Sequence, residues 1–244
     1  MKVNEETALS TAKLLLVPYS RSHVETYHEW MKDPSLQAAT ASEPLSLDEE
    51  YEMQRSWRTD NDKLTFIINL PRHSPESKDS VNAGTEDCPQ NMIGDINLFL
   101  SEPDSDDEGL PQTQNGVIGE IELMIARVDL QRKGYGRSAV QVFTNYVLKN
   151  WDAISKEYSP AKPALAYFRV KINQANSGSI KLFEKIGFDW VSETANYFGE
   201  VELRWSLEKA ARSVLEMDSS GEIFELQYTG EHAEQEDEVM LGIV

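Results

Sequence analysis

Short apolar runs and amphipathic stretches alternate along the chain, and their periods separate strands from helices. KLLLVPY (13–19), LTFIINL (64–70), NMIGDINLFL (91–100), IGEIELMIA (118–126) and ALAYFRVKI (164–172) have strand length and strand-like patterning. RSHVETYHEWMKD (21–33) carries apolar residues at i, i+3 and i+7, which predicts a helix ended before Pro34. SLDEEYEMQRSW (46–57) opens with Ser46 and Glu49 in capping-box spacing and predicts a second helix. SAVQVFTNYVLKN (138–150) sets Val140, Phe143 and Val147 on one helical face. SGSIKLFEKIG (177–187) is a short helix stopped by Gly187. FDWVSE and VELRWSL (201–207) are closing strands, with Val201, Leu203 and Trp205 on one face of the second.

The predicted order is β–α–α–β–β–β–α–β–α–β–β. It implies a mixed α/β (α+β) sheet, largely antiparallel, with helices on both faces. Residues 71–90 and 102–116 are polar and read as loops, the first of them mobile. From 208 the composition turns acidic, with nine acids against one base in 211–244. A partly disordered, solvated tail is expected over 208–244, with apolar pairs such as Ile223 and Phe224 docking on a body spanning 10–207.

A net charge of -19 disfavours non-specific binding to nucleic acid or anionic membrane and favours encounter with a basic partner. One cysteine, Cys88, excludes a disulfide framework and a thiolate zinc site. The four histidines show no metal-ligand spacing, and His28 shares a helical face with Val24, Tyr27 and Met31, which suggests packing at a core boundary. No metal is expected. MKVNEETALS lacks the apolar core of a secretory signal and no run is long enough to span a bilayer, so a cytoplasmic or nuclear protein is expected.

Against that acidic background, LQRKGYGRS (130–138) stands out: two glycines, three cations and no acid, between a strand and a helix. Glycines let backbone approach a ligand, and the first turn of a helix offers unpartnered amides at its positive end. Arg132, Lys133 and Arg137 add charge. The chemistry is anion binding, most simply of a diphosphate. The dinucleotide fingerprint GxGxxG fails at Ala139, and no P-loop pattern occurs.

QRKGYG (131–136) resembles the (Q/R)-x-x-G-x-(G/A) acetyl-coenzyme A signature of the GNAT N-acetyltransferase superfamily. NSGSIKLFEKIGF (176–188) looks like a second motif of that superfamily, in the right order and separated by one strand. Residues 16–57, 94–100 and 119–126 are similar to the N-acetyltransferase 9 family. The resemblance implies a GNAT fold in which the fourth and fifth strands splay apart. The pantetheine arm would lie beside Met124, Ile125, Ala126 and Arg127, and the diphosphate on Arg132, Lys133, Gly134, Tyr135, Gly136 and Arg137. Asn176 and Phe183 would complete the contacts to acetyl-CoA, the cosubstrate. With binding mainly through main chain, the side chains at 132, 133 and 135 are expected to tolerate substitution individually.

Acetyl transfer needs a neutral amine and a place for its proton. Glu120 and Glu122 alternate onto one face of the fourth strand, and either can serve as base. Glu120 lies eleven residues before Gln131, a spacing similar to that of the strand-four glutamate in histone-modifying members of the superfamily. Two positions depart from the amino-terminal acetyltransferase pattern: Lys171 replaces a glutamate, and Phe183 replaces a general-acid tyrosine. At helical spacing from Ile180, Phe183 reads as a core residue. Without that tyrosine the thiolate would leave as such or be protonated by water, since a thiol pKa is about 8.5.

The expected acceptor is an amine of a protein or peptide, α or lysine ε, drawn by acidic side chains near residues 71–90 and 102–116 if it is basic. Members of the resembled family are connected with tubulin and microtubule stability, which carries tubulin over as a partner hypothesis. The alternative is a non-catalytic GNAT-fold adaptor, cytoskeletal in role, acting through protein contacts. Lys171 and Phe183 favour the adaptor; the intact QRKGYG turn and Glu120 favour the enzyme.

Overall fold

The computed structural model describes residues 1–72, 79–103, 116–218 and 222–229. Two short strands, β1 (Thr7–Ser10) and β2 (Leu15–Pro18), lead through a 3-10 turn to three helices, α1 (Val24–Met31), α2 (Pro34–Thr40) and α3 (Leu47–Thr59). The Ser46–Glu49 capping box forms as expected. Strands β3 (Lys63–Asn69), β4 (Ser80–Asn82), β5 (Met92–Ser101) and β6 (Gly116–Ile125) precede α4 (Tyr135–Lys149) and α5 (Trp151–Tyr158). The chain closes with β7 (Ala164–Asn173), α6 (Ser177–Ile186), β8 (Asp189–Trp190), β9 (Glu200–Ser206), α7 (Leu207–Asp218) and β10 (Phe224–Thr229).

The sheet runs β4-β10-β1-β2-β3-β5-β6-β7-β9-β8. It is antiparallel apart from the β6–β7 and β10–β4 pairs. Parallel neighbours need a crossover, and α4 and α5 supply the one between β6 and β7. Alternation along the strands then builds two cores. Leu64, Phe66, Ile96, Leu98 and Ile121 face α4, α5, α6 and the start of α7. Val17, Tyr19, Ile67 and Met124 face α1, α2 and α3. Phe66 meets Phe143 and Tyr146 of α4 edge-on at 6.0 and 5.3 Å, the favoured aromatic geometry.

Several segments differ from expectation. The acidic stretch after 207 holds α7 and β10. In FELQYT, Leu226 and Tyr228 are buried and the intervening residues are not, so the alternation satisfies a half-buried strand despite the surrounding charge. That strand pairs with β1 and with β4, and β4 itself lies inside the expected 71–90 loop. Ile223 packs on the core as anticipated, whereas Phe224 stays exposed. Pro34 begins α2 instead of only ending α1, because Asp33 caps the Ser35 amide and proline suits a first helical position. Residues 73–78, 104–115, 219–221 and 230–244, within the expected loops and tail, lie outside the described residues.

One buried carboxylate ties these late elements to the body. Asp87 accepts from the Tyr228 hydroxyl at 2.6 Å and the Gly84 amide at 2.6 Å, and pairs with His23 Nε2 at 3.0 Å. Burial opposes its charge, yet the bonds from His23, Tyr228 and Gly84 hold its pKa below the usual carboxylate range. Replacing Asp87 by Ala should cost about 3 kcal/mol in urea unfolding at pH 7, and Tyr228→Phe about 1 kcal/mol. An acid with a depressed folded pKa stabilises above its unfolded value, near 4, and loses that effect as pH falls through the folded one. The Asp87→Ala deficit should therefore shrink in acid.

Candidate active site

β6 and β7 pair only over Gly116–Glu120 and Ala164–Arg169. Both continue afterwards, β6 against β5 as far as Ile125 and β7 against β9 as far as Asn173. The sheet therefore forks in its interior, and the last pair before the fork is Glu120 with Arg169. Their side chains also meet, Arg169 Nε donating to Glu120 Oε2 at 2.7 Å, with Lys171 Nζ 3.9 Å from the same oxygen.

The edge that the fork opens is defined by peptide direction. Ala126 donates its amide to the Ile93 carbonyl at 2.9 Å, so Ala126 and, by alternation, Met124 turn toward β5. Arg127 also aims its amide at Ile93, at 3.4 Å. Leu123 and Ile125 consequently face the gap, and the Ile125 carbonyl takes a bond there from Gln131 Nε2 at 2.9 Å. Of the expected strip 124–127, Ile125 lies on the open edge, Met124, Ala126 and Arg127 pair away from it, and Leu123 is added. Gly94 permits this arrangement: a Cβ there would sit 1.9 Å from the Met124 carbonyl oxygen.

The glycine turn stands at the end of the same strand. Arg132 (φ 58) and Gly134 (φ 86) are both left-handed. Such a turn converges successive amides on one point, as in anion-binding nests. Gly134 is the N-cap of α4, no side chain caps that helix, and its first turn carries no acid. Arg137 lies where a helix would ordinarily favour negative charge, so the end suits an external anion. Gly136 lets the first turn approach β6 and α6, since its Cβ would come within 3.2 Å of the Leu123 and Leu182 methyls. Arg132, Lys133 and Arg137 are exposed at the rim. Lys13, from the β1–β2 turn, adds a fourth cation that sequence spacing did not indicate; its Nζ lies 5.5 Å from the Tyr135 ring centroid. A groove of about 750 Å³ continues from Lys13 and Arg137 past Gln141 toward Lys185, Lys209 and Arg212.

The opposite face of the fork, toward α1 and α3, is acidic. Glu120, Glu122 and Met124 share it on β6, and Asp95 and Asn97 share it on β5, Asn97 directly opposite Glu122. Glu120 is engaged by Arg169 and Lys171. Glu122 is reached by solvent, but the surrounding walls raise its pKa to about 7, burial first and then the charges of Glu120, Asp95 and Glu200. Asp95 is buried and likewise raised to about 7 by desolvation, even though Asn97 donates to it at 2.7 Å. Glu50 of α3, also buried, is raised to about 7 by desolvation. Tyr19 and Tyr27 cover this layer, and burial and neighbouring carboxylates push their hydroxyls well above the usual phenol value. Asp95, Asn97, Tyr19 and Glu50 went unremarked at the sequence level. The available signal was DIN inside NMIGDINLFL, two polar residues on one face of an otherwise apolar strand.

The two remaining expected residues have structural duties. Asn176 caps α6, its Oδ1 accepting from the Ser179 amide at 3.1 Å. Phe183 is buried edge-on against Phe188 with ring centroids 5.1 Å apart, so it belongs to the core and does not stand in for a general acid. Among the described residues no cluster of His, Cys, Asp and Glu could hold a metal ion, and no helix is long and apolar enough to cross a membrane.

A family model described as acetyltransferase (GNAT) domain matches residues 13–189. An N-acetyltransferase 9-like protein of Schizosaccharomyces pombe is 41% identical over 218 residues, covering 83% of this chain and 97% of that protein. The human alpha/beta-tubulin-N-acetyltransferase 9 is 36% identical over 235 residues, covering 96% and 99%. Among solved structures, aminoglycoside acetyltransferase AAC(6')-Ib in complex with coenzyme A shares the fold with a TM-score of 0.56 at 13% identity, covering 84% of this chain and 98% of that one. Spermidine N-acetyltransferase of Vibrio cholerae, bound to CoA and spermine, has a TM-score of 0.52 at 16% identity, covering 82% and 98%.

The Gly94 contact gives a direct test of the fork. Gly94→Ala should push β6 off β5 beside Leu123 and Ile125, lower stability by about 2 kcal/mol in urea unfolding, and weaken coenzyme A binding about tenfold by calorimetry.

Proposed function

The chain belongs to the GNAT acetyltransferase family, and on that premise we propose that it transfers the acetyl group of acetyl-CoA to an amine of a protein or peptide, with tubulin as the acceptor suggested by its relatives' names. The observation that carries this reading is one gap with two unlike faces: an uncapped, basic glycine turn at the α4 side and a set of carboxylates at the α1–α3 side. The first suits a phosphorylated donor. The second suits a cationic acceptor, because an acidic cleft concentrates and orients positive groups.

The residues present fit acetyl-CoA. The amides of Tyr135, Gly136 and Arg137 have no capping side chain, and Lys13, Arg132 and Lys133 supply charge around them. The peptide groups of Leu123 and Ile125 can pair with an extended amide-bearing arm as a missing strand would. When bound, acetyl-CoA supplies an activated acetyl group in the form of a thioester. Glu122 is placed to take one proton from the acceptor ammonium, leaving a neutral amine with a lone pair. A base poised near neutral pH suits that task. Glu120, engaged by Arg169 and Lys171, keeps the crotch of the fork closed instead. The amine nitrogen then bonds to the acetyl carbon, the carbon–sulfur bond breaks, and the second amine proton balances the departing thiolate. Water delivers that proton, since Phe183 offers none.

Glu122→Gln should lower kcat about a hundredfold while leaving the acetyl-CoA Kd unchanged. The wild-type rate should fall on the acid side near pH 7, where Glu122 becomes protonated. Mass spectrometry of a peptide library that includes tubulin amino-terminal and lysine peptides, incubated with labelled acetyl-CoA, tests turnover. Coenzyme A binding without product from any peptide would favour the non-catalytic adaptor.

A further inference from the structure

The cross-strand row beside Glu122 contains a buried acceptor with nothing to accept. Asn97 lies directly opposite Glu122 in the β5–β6 ladder, on the same sheet face, which places their Cβ atoms roughly 4.5–5.5 Å apart. Asn97 is only 3% exposed. Its Nδ2 donates to Asp95 Oδ2 at 2.7 Å, and its Oδ1 is buried without a hydrogen-bond partner. An ionised Asp95 only accepts, so in that form it dictates which end of the amide it holds, and the carbonyl end is left for another group. A buried carbonyl without a donor costs about 1–3 kcal/mol, so the arrangement calls for an occupant.

The neighbours narrow the choice. Glu120 shares the face on β6 but is committed to Arg169 and Lys171 of β7. Glu200, at the start of β9, carries negative charge toward Glu122 and offers no proton donor. Tyr27 of α1 closes the layer, with Tyr19 and Glu50 of α3 behind it, and Asp95 Oδ1, Tyr19 Oη and Glu50 Oε2 are themselves buried without partners. Met124, facing Asp95, is apolar. Thr65, opposite Asn97 on β3, also has a buried hydroxyl without a partner, but a hydroxyl keeps its proton throughout; the neighbour that gains a proton during the reaction is Glu122.

We propose that Asn97, locked by Asp95, is a positioning residue for acetyl transfer: its Oδ1 receives a hydrogen bond from the carboxyl of Glu122 once Glu122 has taken the acceptor's proton. Before proton transfer Glu122 is a carboxylate and Asn97 Oδ1 is unmatched. Afterwards the Glu122 O–H donates to Asn97 Oδ1, Asp95 keeps the amide from turning over, and the protonated state of the base is favoured. On release of product the proton leaves through the solvent-exposed mouth of the cleft. The raised pKa of Glu122 accords with this role, although burial and the surrounding carboxylates are its primary causes. The inference rests on the assignment of Glu122 as base.

The test measures the titration of Glu122 directly, by carbon-13 NMR of protein labelled in its glutamate carboxyls, with Glu122→Gln assigning the signal. Asn97→Leu keeps the volume and removes the acceptor. The Glu122 midpoint should fall by about one pH unit, the equivalent of one hydrogen bond. The acid limb of kcat/KM should move down by the same amount, with acetyl-CoA affinity unchanged. Should Asn97→Leu fail to fold cooperatively, Asn97→Ala, which also removes the carbonyl and leaves the Asp95 carboxylate in place, should move the midpoint in the same direction. An unmoved midpoint and an unmoved acid limb in the folded variant would overturn the proposal. Full turnover by Glu122→Gln would instead overturn the base assignment, whatever Asn97 does.

Discussion

The constraint on which the molecule's chemistry depends is the early end of the β6–β7 ladder. A central strand ordinarily satisfies both edges of its backbone, because an amide left without a partner costs as much as a lost hydrogen bond. β6 abandons β7 after Glu120, yet keeps β5 along its whole remaining length. The peptide groups of Leu123 and Ile125 therefore face the gap from a strand held rigidly by β5, with the Ile125 carbonyl already bonded there by Gln131. Two features sustain the fork. The Glu120–Arg169 bond closes its apex, and Gly94 lets β6 stay seated on β5 where any side chain would collide with the Met124 carbonyl.

Charge is distributed around the fork in a way that the net value conceals. The chain carries a charge of -19, yet Lys13, Arg132, Lys133 and Arg137 gather at the glycine turn. On the other sheet face lie Glu50, Asp95 and Glu122, and all three are raised to about 7, desolvation being the first cause in each case. The sheet separates these two environments and the fork joins them. An anionic donor and a cationic acceptor can then approach from opposite sides without either lying against like charge.

Much of this was legible in the sequence because it is written in local patterns. The five apolar runs became β2, β3, β5, β6 and β7, and the basic glycine segment at 130–138 ends the connection from β6 and forms the first turn of α4. What escaped depended on contacts distant in sequence or on backbone direction. FELQYT alternates, but its acidic surroundings argued for a tail; the buried Tyr228–Asp87 bond, 141 residues apart, makes it part of the sheet. Lys13 joins the turn from the far end of the chain. The strip 124–127 was implied by the family resemblance; which of its peptide groups face the gap depends on which neighbour the strand pairs with, and that is not written in side-chain alternation. Asp95 and Asn97 sat in plain view within a strand, and only their burial and cross-strand register give them significance.

Amide hydrogen exchange at single-residue resolution, with and without acetyl-CoA, tests the central claim most directly. Leu123 and Ile125 should exchange readily in the free protein and become protected on binding, together with Tyr135, Gly136 and Arg137, while Met124 and Ala126, already paired with β5, change little. Saturating acetyl-CoA that leaves the Leu123 and Ile125 amides unprotected would contradict it.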